Sequence, residues 1–186
     1  MSSIRVLVPL AEGFEEIEAI TVVDILRRAG VEVVTAGLKD GAVAASRKTR
    51  HLPDVGLDQV AHETFDAMVL PGGQPGTNHL KNDPRIRECI LRHMRAGKWI
   101  AAICAAPIAL QELGILSGKH ATSHPSVREQ LDGAHYQEDR VVVDGKLVTS
   151  RAAGTAMEFA FKLVELICGP QKAAEVNQGV MAKIQP

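Results

Sequence analysis

The chain has 186 residues, 46% of them hydrophobic and 23% charged, with a net charge of -1. That length can bury a sizeable core, and the balance is that of an ordinary globular domain, so one domain over residues 1–186 is expected. The near-neutral charge, the lack of a long basic run and the six aromatic residues argue against nucleic acid as a partner. No apolar run reaches the length of a membrane span, and the first one, Val6 to Ala11, meets Glu12 too soon for a signal peptide. Cys89, Cys104 and Cys168 form an odd set without C-x-x-C spacing. Free thiols in a reducing cytoplasm are therefore expected, and no structural metal site.

Ile4 to Leu10 reads as a continuous apolar strand, buried on both faces. After the loop Ala11-Glu12-Gly13-Phe14, a helix is expected from about Glu15 to Ala29, with Ile17, Ile20, Val23, Ile25 and Leu26 mostly on one face and Gly30 as its stop. Val31 to Ala36 is a second strand, which completes a βαβ unit and begins a parallel sheet. Residues 38 to 65 are irregular, with short edge strands or turns at Ser46-Arg47, Leu52-Pro53-Asp54 and Val55 to Val60. Asp66 to Leu70 is another buried strand, ending in the turn Pro71-Gly72-Gly73. Asp83-Pro84 supplies an N-cap and an N1 proline for a helix to about Ala96.

Trp99 to Ile103 is the central strand, and it leads through Cys104 into a helix that ends near Leu113. His120 to His124 reads as a short strand and Ser126 to Leu131 as a short helix. Arg140 to Ser150 reads as a hairpin about Asp144-Gly145. Two more helices follow, about Ala156 to Ile167 and Gln171 to Lys183, separated by Gly169-Pro170. The alternation predicts an α/β fold with helices on both faces of a mostly parallel sheet.

The junction at Cys104 has the spacing of a nucleophile elbow. A strand turns sharply into a helix, the apex residue is strained, and the positions two before and two after it must be small. Here those are Ala102 and Ala106. A cysteine at such an apex would lie at a helix N-terminus, where the dipole favours thiolate. A cysteine at a strand end is equally compatible with plain core, and the motif alone leaves both readings open.

In open α/β sheets, ligands bind beyond the carboxyl ends of the strands. That shortlists Glu12 to Glu16, the pair Gly72-Gly73, Cys104, His124 and the loop Arg151 to Gly154. Each also has an architectural reading. The glutamates suit the first turn of a helix, and the glycines suit a tight turn. His124 gains weight only from its place after a strand, and Arg47-Lys48-Thr49-Arg50 suits a solvated loop.

Taken together, Glu15-Glu16, Leu70-Pro71-Gly72-Gly73, Ala101 to Pro107, Ser123-His124-Pro125 and Thr149 to Thr155 resemble the ThiJ/PfpI superfamily. Within it they resemble the branch that contains the parkinsonism-associated protein deglycase and its bacterial relatives. The likeness runs from Ile4 to about Val180, with the motifs in order. It implies a flavodoxin-like three-layer α/β/α sandwich and a homodimer. It implies that Cys104 is the reactive cysteine and Glu16 the protonated carboxyl beside it, lowering the thiol pKa. It implies that Gly73 and Ala105 supply an oxyanion hole next to Gly72. His124 matches a position that many members fill with histidine, and Arg47 an arginine near the site and the dimer interface.

Two features depart from the wider superfamily. Ala152-Ala153-Gly154 replaces Gly-Pro-Gly, which reshapes the pocket rim at Ala153, and Ala105 replaces the histidine that follows the nucleophile in the intracellular peptidases. The latter, with the lack of a downstream H-x-E, lowers the peptidase and amidotransferase readings.

The resemblance implies a cysteine-dependent glyoxalase that needs no cofactor and turns methylglyoxal into lactate. The same chemistry on glycated substrates would be a protein deglycase activity. In that scheme Cys104 attacks the aldehyde, while Glu16 and His124 move protons through an enediol. The alternative is a redox sensor or stress chaperone working through oxidation of Cys104. A third reading is a pocket that only binds a small carboxylate or phosphate.

Overall fold

The computed structural model describes residues 3–182 and 184. The elements, in order, are β1 (Arg5–Leu10), α1 (Glu16–Arg28), β2 (Glu32–Gly37), β3 (Val43–Ala44), β4 (Arg50–His51), β5 (Val55–Gly56) and α2 (Leu57–Val60). They continue with β6 (Ala67–Leu70), α3 (Gly76–Asn82), α4 (Pro84–Arg95), β7 (Trp99–Ile103), α5 (Pro107–Gln111), β8 (His120–Ala121) and β9 (His135–Tyr136). The last are β10 (Val141–Asp144), β11 (Leu147–Ser150), α6 (Ala156–Cys168) and α7 (Pro170–Val180).

Seven strands form one sheet in the order β10-β11-β7-β6-β1-β2-β5, and every pairing is parallel except that of the edge strand β10. The apolar runs of β1, β6 and β7 are central because both of their faces are covered. Alternation along each strand sorts the core into two layers. Val6, Val8 and Leu10 of β1 and Ala101 and Ile103 of β7 pack with α1, α6 and α7. Leu7, Ile100 and Ala102 face the other way, against Ile86, Cys89 and Ile90 of α4 and Ile108 of α5. This is the expected three-layer sandwich of the flavodoxin-like class. No helix among the described residues is long and apolar enough to cross a membrane.

Several expectations need correction. The irregular region folds into a small antiparallel arm, β3 with β4, followed by the edge strand β5 and the single turn α2 over the stretch Val55 to Val60, which reads in the sequence as short edge strands or turns. Helix α3 was not foreseen, because Gly76 to Asn82 shows no apolar period; it is fixed by the burial of Thr77 and Leu80. Strand β8 stops at Ala121, and Pro125–Gln130 is a 3-10 turn. In the β10–β11 hairpin Asp144 pairs with Leu147, so the two turn residues are Gly145 and Lys146, with Gly145 at φ 62° as a type II′ turn requires. Helix α7 ends at Val180, where Met181 turns left-handed, and Lys183 lies outside the described residues. The Asp83 cap holds, its side chain accepting the Arg85 N–H.

Candidate active site

The site is assembled where β1, β6, β7 and β11 end. Strand β7 ends at the elbow. Cys104 sits at φ 65°, in the left-handed region that costs a residue with a side chain, and its own N–H is held by the Ser150 carbonyl of β11 at 2.9 Å. Ala102 and Ala106 are both fully buried, as the tight turn demands. The helix that follows is only five residues long and begins at Pro107, shorter than expected, so a long helix dipole does not act on the thiol. Individual N–H groups take that part: those of Ala105 and Gly73 donate to the sulfur.

Strand β6 delivers Gly72 and Gly73. A side chain at Gly72 would lie 2.7 Å from Cys104 Cβ and 2.7 Å from a Glu18 carboxyl oxygen. Gly73 has φ 88°, and a side chain there would lie 2.4 Å from the Glu15 N. Only glycine lets these backbones close up on the cysteine.

The carboxyl beside Cys104 is that of Glu18, not Glu16. Glu18 is 1% exposed, its Oε2 accepts the Gly72 N–H at 2.8 Å, and the carboxyl hydrogen-bonds the Cys104 side chain. Its Oε1 is buried with no partner of its own among the described residues. Glu16 faces the arm instead. It accepts from Ser46 Oγ at 3.0 Å, from the Arg47 N–H at 3.1 Å and from Thr49 Oγ1 at 2.9 Å. Partial burial works against the Glu16 charge, but those donors outweigh it and hold the carboxyl below its usual range.

The reason is helix phase. Glu18, Ala19, Val22, Val23, Ile25 and Leu26 form the buried face of α1, while Ile17 is 54% exposed and Ile20 37%. Glu18, Val22 and Ile25 follow the i, i+4, i+7 spacing, so a glutamate inside that stripe was the signal the sequence offered. Reading Ile17 and Ile20 as core turned the helix the wrong way.

Burial, helped by the charge of Glu15, raises Glu18 to about 7. Burial and the charge of Glu18 raise the Cys104 thiol to about 12, against the N–H groups of Ala105 and Gly73. The expected lowering of the thiol pKa is thus absent while Glu18 carries charge. The two groups form one unit, which loses its first proton near 7 and holds the second to about 12. When the proton rests on Glu18, the repulsion that raises the thiol disappears, and the carboxylic acid becomes a hydrogen-bond donor to sulfur.

A pocket of about 380 Å³ opens over this pair. The structure brings Cys104, Gly73, Ala105, His124, Arg47 and Ala153 to its wall, with Glu15, Glu18 and Ser46. Gly72 lies behind the wall, bonded to Glu18, and Glu16 outside it. His124 is tied to the elbow, its N–H donating to the Cys104 carbonyl at 2.8 Å. Its Nδ1 accepts the Ser126 N–H at 3.2 Å, so a neutral ring carries its proton on Nε2. Arg47 is placed by the arm, which is pinned to the β1–α1 loop through Ser46 N–H to Phe14 O and Gly13 N–H to Ala44 O, both 2.8 Å. Ser46, bonded to the shortlisted Glu15 at 2.6 Å, is a lining residue that the sequence does not single out.

A parallel α/β sandwich with a cysteine on a nucleophile elbow and a buried carboxyl against its sulfur defines a class of cysteine-centred proteins. The chain belongs to the DJ-1/PfpI family, whose model matches residues 4–166. It is 47% identical over 178 residues to the fruit-fly (Drosophila melanogaster) protein dj-1beta, covering 94% of this chain and 95% of that one. The crystal structure of that fly protein superposes with a TM-score of 0.94 at 46% identity, over 97% of this chain and 98% of that one. The chain is also 39% identical over 172 residues to the Caenorhabditis elegans protein named glutathione-independent glyoxalase DJR-1.2, covering 91% of each. The structure of Toxoplasma gondii DJ-1, described as oxidized, superposes with a TM-score of 0.93 at 37% identity, over 96% of this chain and 98% of that one.

Proposed function

We propose that the protein is a glyoxalase that converts small 2-oxoaldehydes into 2-hydroxy acids through Cys104, and that the same chemistry acts on early glycation adducts. The observation that carries this reading is the buried Glu18 carboxyl set beside the Cys104 sulfur at the floor of an open pocket. The name of the Caenorhabditis elegans relative supports it.

Ionised Glu18 takes the thiol proton as the sulfur adds to the aldehyde carbon; a C–S bond forms and the carbonyl π pair moves onto oxygen. The Gly73 and Ala105 N–H groups, which face the sulfur in the free protein, lie where that oxyanion develops. Glu18 protonates the oxygen and is left ionised. It then removes the proton from the former aldehyde carbon and returns it to the neighbouring carbon through an enediol, with His124 Nε2–H bonding the second oxygen. The resulting thioester is cleaved by water, which releases the 2-hydroxy acid and regenerates the thiol. The sequence is redox-neutral and as written needs no cofactor. The test is lactate formation from methylglyoxal. Wild type forms it and Cys104→Ser does not; full activity in Cys104→Ser would sink the mechanism.

A second reading is favoured by the donors around the sulfur. Two peroxide equivalents would convert the thiolate to sulfinate with release of water, and Gly73, Ala105 and protonated Glu18 could each bond its oxygens. Intact mass after mild peroxide tests it: two added oxygens on Cys104 support sensing, and equal oxidation of Cys89 or Cys168 opposes it. All three cysteines are free, which supports a reducing, cytoplasmic setting. A homodimer is supported by the exposed Ile17, Ile20 and Met157, which line one shallow apolar surface next to Glu16 and Thr49. Light scattering of Ile17→Glu against wild type tests it.

A further inference from the structure

A second constellation lies outside the Cys104 pocket, on the small sheet of β8 and β9. The two strands are parallel, and His120 stands directly opposite His135. Their imidazole centroids are 5.3 Å apart, with planes inclined by 38°. We propose that His120 and His135 form a surface chelate for a divalent transition-metal ion of the zinc type, with Asp144 fixing the donor nitrogen of His120.

The spacing is the first reason. Two imidazoles on one tetrahedral zinc, each bound at about 2.0–2.1 Å with its ring centre about 1 Å further out, hold their centroids about 5 Å apart. The pair already has that separation, so only side-chain rotation is needed to close on an ion. Imidazole nitrogen suits zinc, copper and nickel.

Asp144 is the second reason. Its Oδ2 accepts the His120 N–H at 2.9 Å and lies 3.4 Å from His120 Nδ1. Its Oδ1 bonds Lys119 Nζ at 2.9 Å. A fixed carboxylate against Nδ1 keeps the ring proton there and leaves the Nε2 lone pair free, the arrangement that orients metal-bound histidines. It also offsets Lys119, the cation that faces the site.

Access is the third. Both histidines are exposed, His120 with 54% of its side chain. No group of three or more histidine, cysteine, aspartate or glutamate side chains is placed to hold a metal among the described residues. The protein therefore supplies two ligands and water the rest, which makes the site exchangeable rather than structural. Its closure would tie β8 to β9. The Tyr136 hydroxyl of β9 already bonds the Ser123 carbonyl next to His124 at 3.0 Å.

The experiment is a Zn²⁺ titration of the whole protein, read by the imidazole proton resonances and by thermal unfolding, in a Cys104→Ser background that removes the other thiol-based site. The His120 and His135 resonances should shift together and saturate at one equivalent, and the unfolding temperature should rise. His120→Ala and His135→Ala, both at exposed positions, should each abolish the joint shift and the thermal gain. Asp144→Asn should weaken binding by about tenfold. A response confined to one histidine, a response that survives both alanine variants, or no response at all would each overturn the proposal.

Discussion

Two buried pairs, each a cysteine with a titratable neighbour, lie on opposite faces of the sheet, and only one has the makings of a site. On the α4 face, His93 is fully buried with both ring nitrogens committed. Its Nδ1–H donates to the Cys89 carbonyl at 2.7 Å and its Nε2 accepts the Phe65 N–H at 3.0 Å. Cys89 donates to the Ala61 carbonyl at 3.1 Å. Burial lowers the His93 pKa and raises that of Cys89, so both stay neutral. On the α1 face, burial likewise shifts Glu18 and Cys104, but one Glu18 oxygen has no partner among the described residues and the sulfur opens on a pocket. Perturbed titration alone does not separate the two pairs. Unmet hydrogen-bonding capacity and access do.

The largest test of that contrast is on turnover. Cys104→Ala should abolish lactate formation from methylglyoxal, whereas Cys89→Ala should leave kcat unchanged and lower only stability. Equal loss in both would erase the distinction. Next in size is His93→Ala. It strands the Phe65 N–H and opens a cavity, at a cost of about 3 kcal/mol in urea unfolding. The sign of its pH dependence follows from the lowered pKa. A neutral buried histidine contributes its full stability above the ordinary value of 6.5 and loses it as pH falls through the lower folded value. Wild type should weaken on acidification below 6.5, and that component should vanish in the variant.

Glu18→Gln sharpens the contrast from the other side. The folded pKa near 7 lies above the ordinary 4.5, so Glu18 costs stability as pH rises through that window. The variant should be more stable than wild type at pH above 7 by about 1–3 kcal/mol, with the gain gone below pH 4.5. It should also lower kcat by about a hundredfold or more, since the proton relay is lost. The alkylation rate of Cys104 should stay low through pH 7 in wild type and rise only toward pH 12, and Glu18→Gln should move that rise to lower pH. A variant less stable at high pH would show that Glu18 is not a strained carboxylate.

Much of this was legible in the chain itself. The elbow followed from Ala102, Cys104 and Ala106, and the glycine pair from its place at a strand end. The parallel sheet followed from the uninterrupted apolar runs of β1, β6 and β7. What misled was the phase of α1. Two isoleucines outweighed one glutamate when the apolar face was assigned, although Val22, Val23, Ile25 and Leu26 share their face with Glu18. Exposed isoleucines imitate core whenever a surface is built to be covered, and a buried acid imitates surface. The arm carrying Ser46 and Arg47 was unreadable for a different reason: two-residue strands have no period, and their position is set by contacts with Phe14 and Gly13.

The smallest predicted effect concerns the glutamate two positions away. Glu16 takes its donors from the arm at the edge of solvent, so Glu16→Gln replaces one acceptor by a donor where water can compensate, at a cost below about 1 kcal/mol. Its lowered pKa means that the carboxylate stabilises the fold above the ordinary 4.5 and loses that contribution as pH falls, so the variant should flatten the acid limb of unfolding only. Because Glu16 positions Arg47 and not the sulfur, KM should rise by less than about tenfold with kcat unchanged. The two variants thus separate on different kinetic constants: Glu18→Gln moves kcat and alkylation, Glu16→Gln moves KM alone. A kcat loss in Glu16→Gln as large as in Glu18→Gln would mean that the arm, not the buried pair, sets the chemistry.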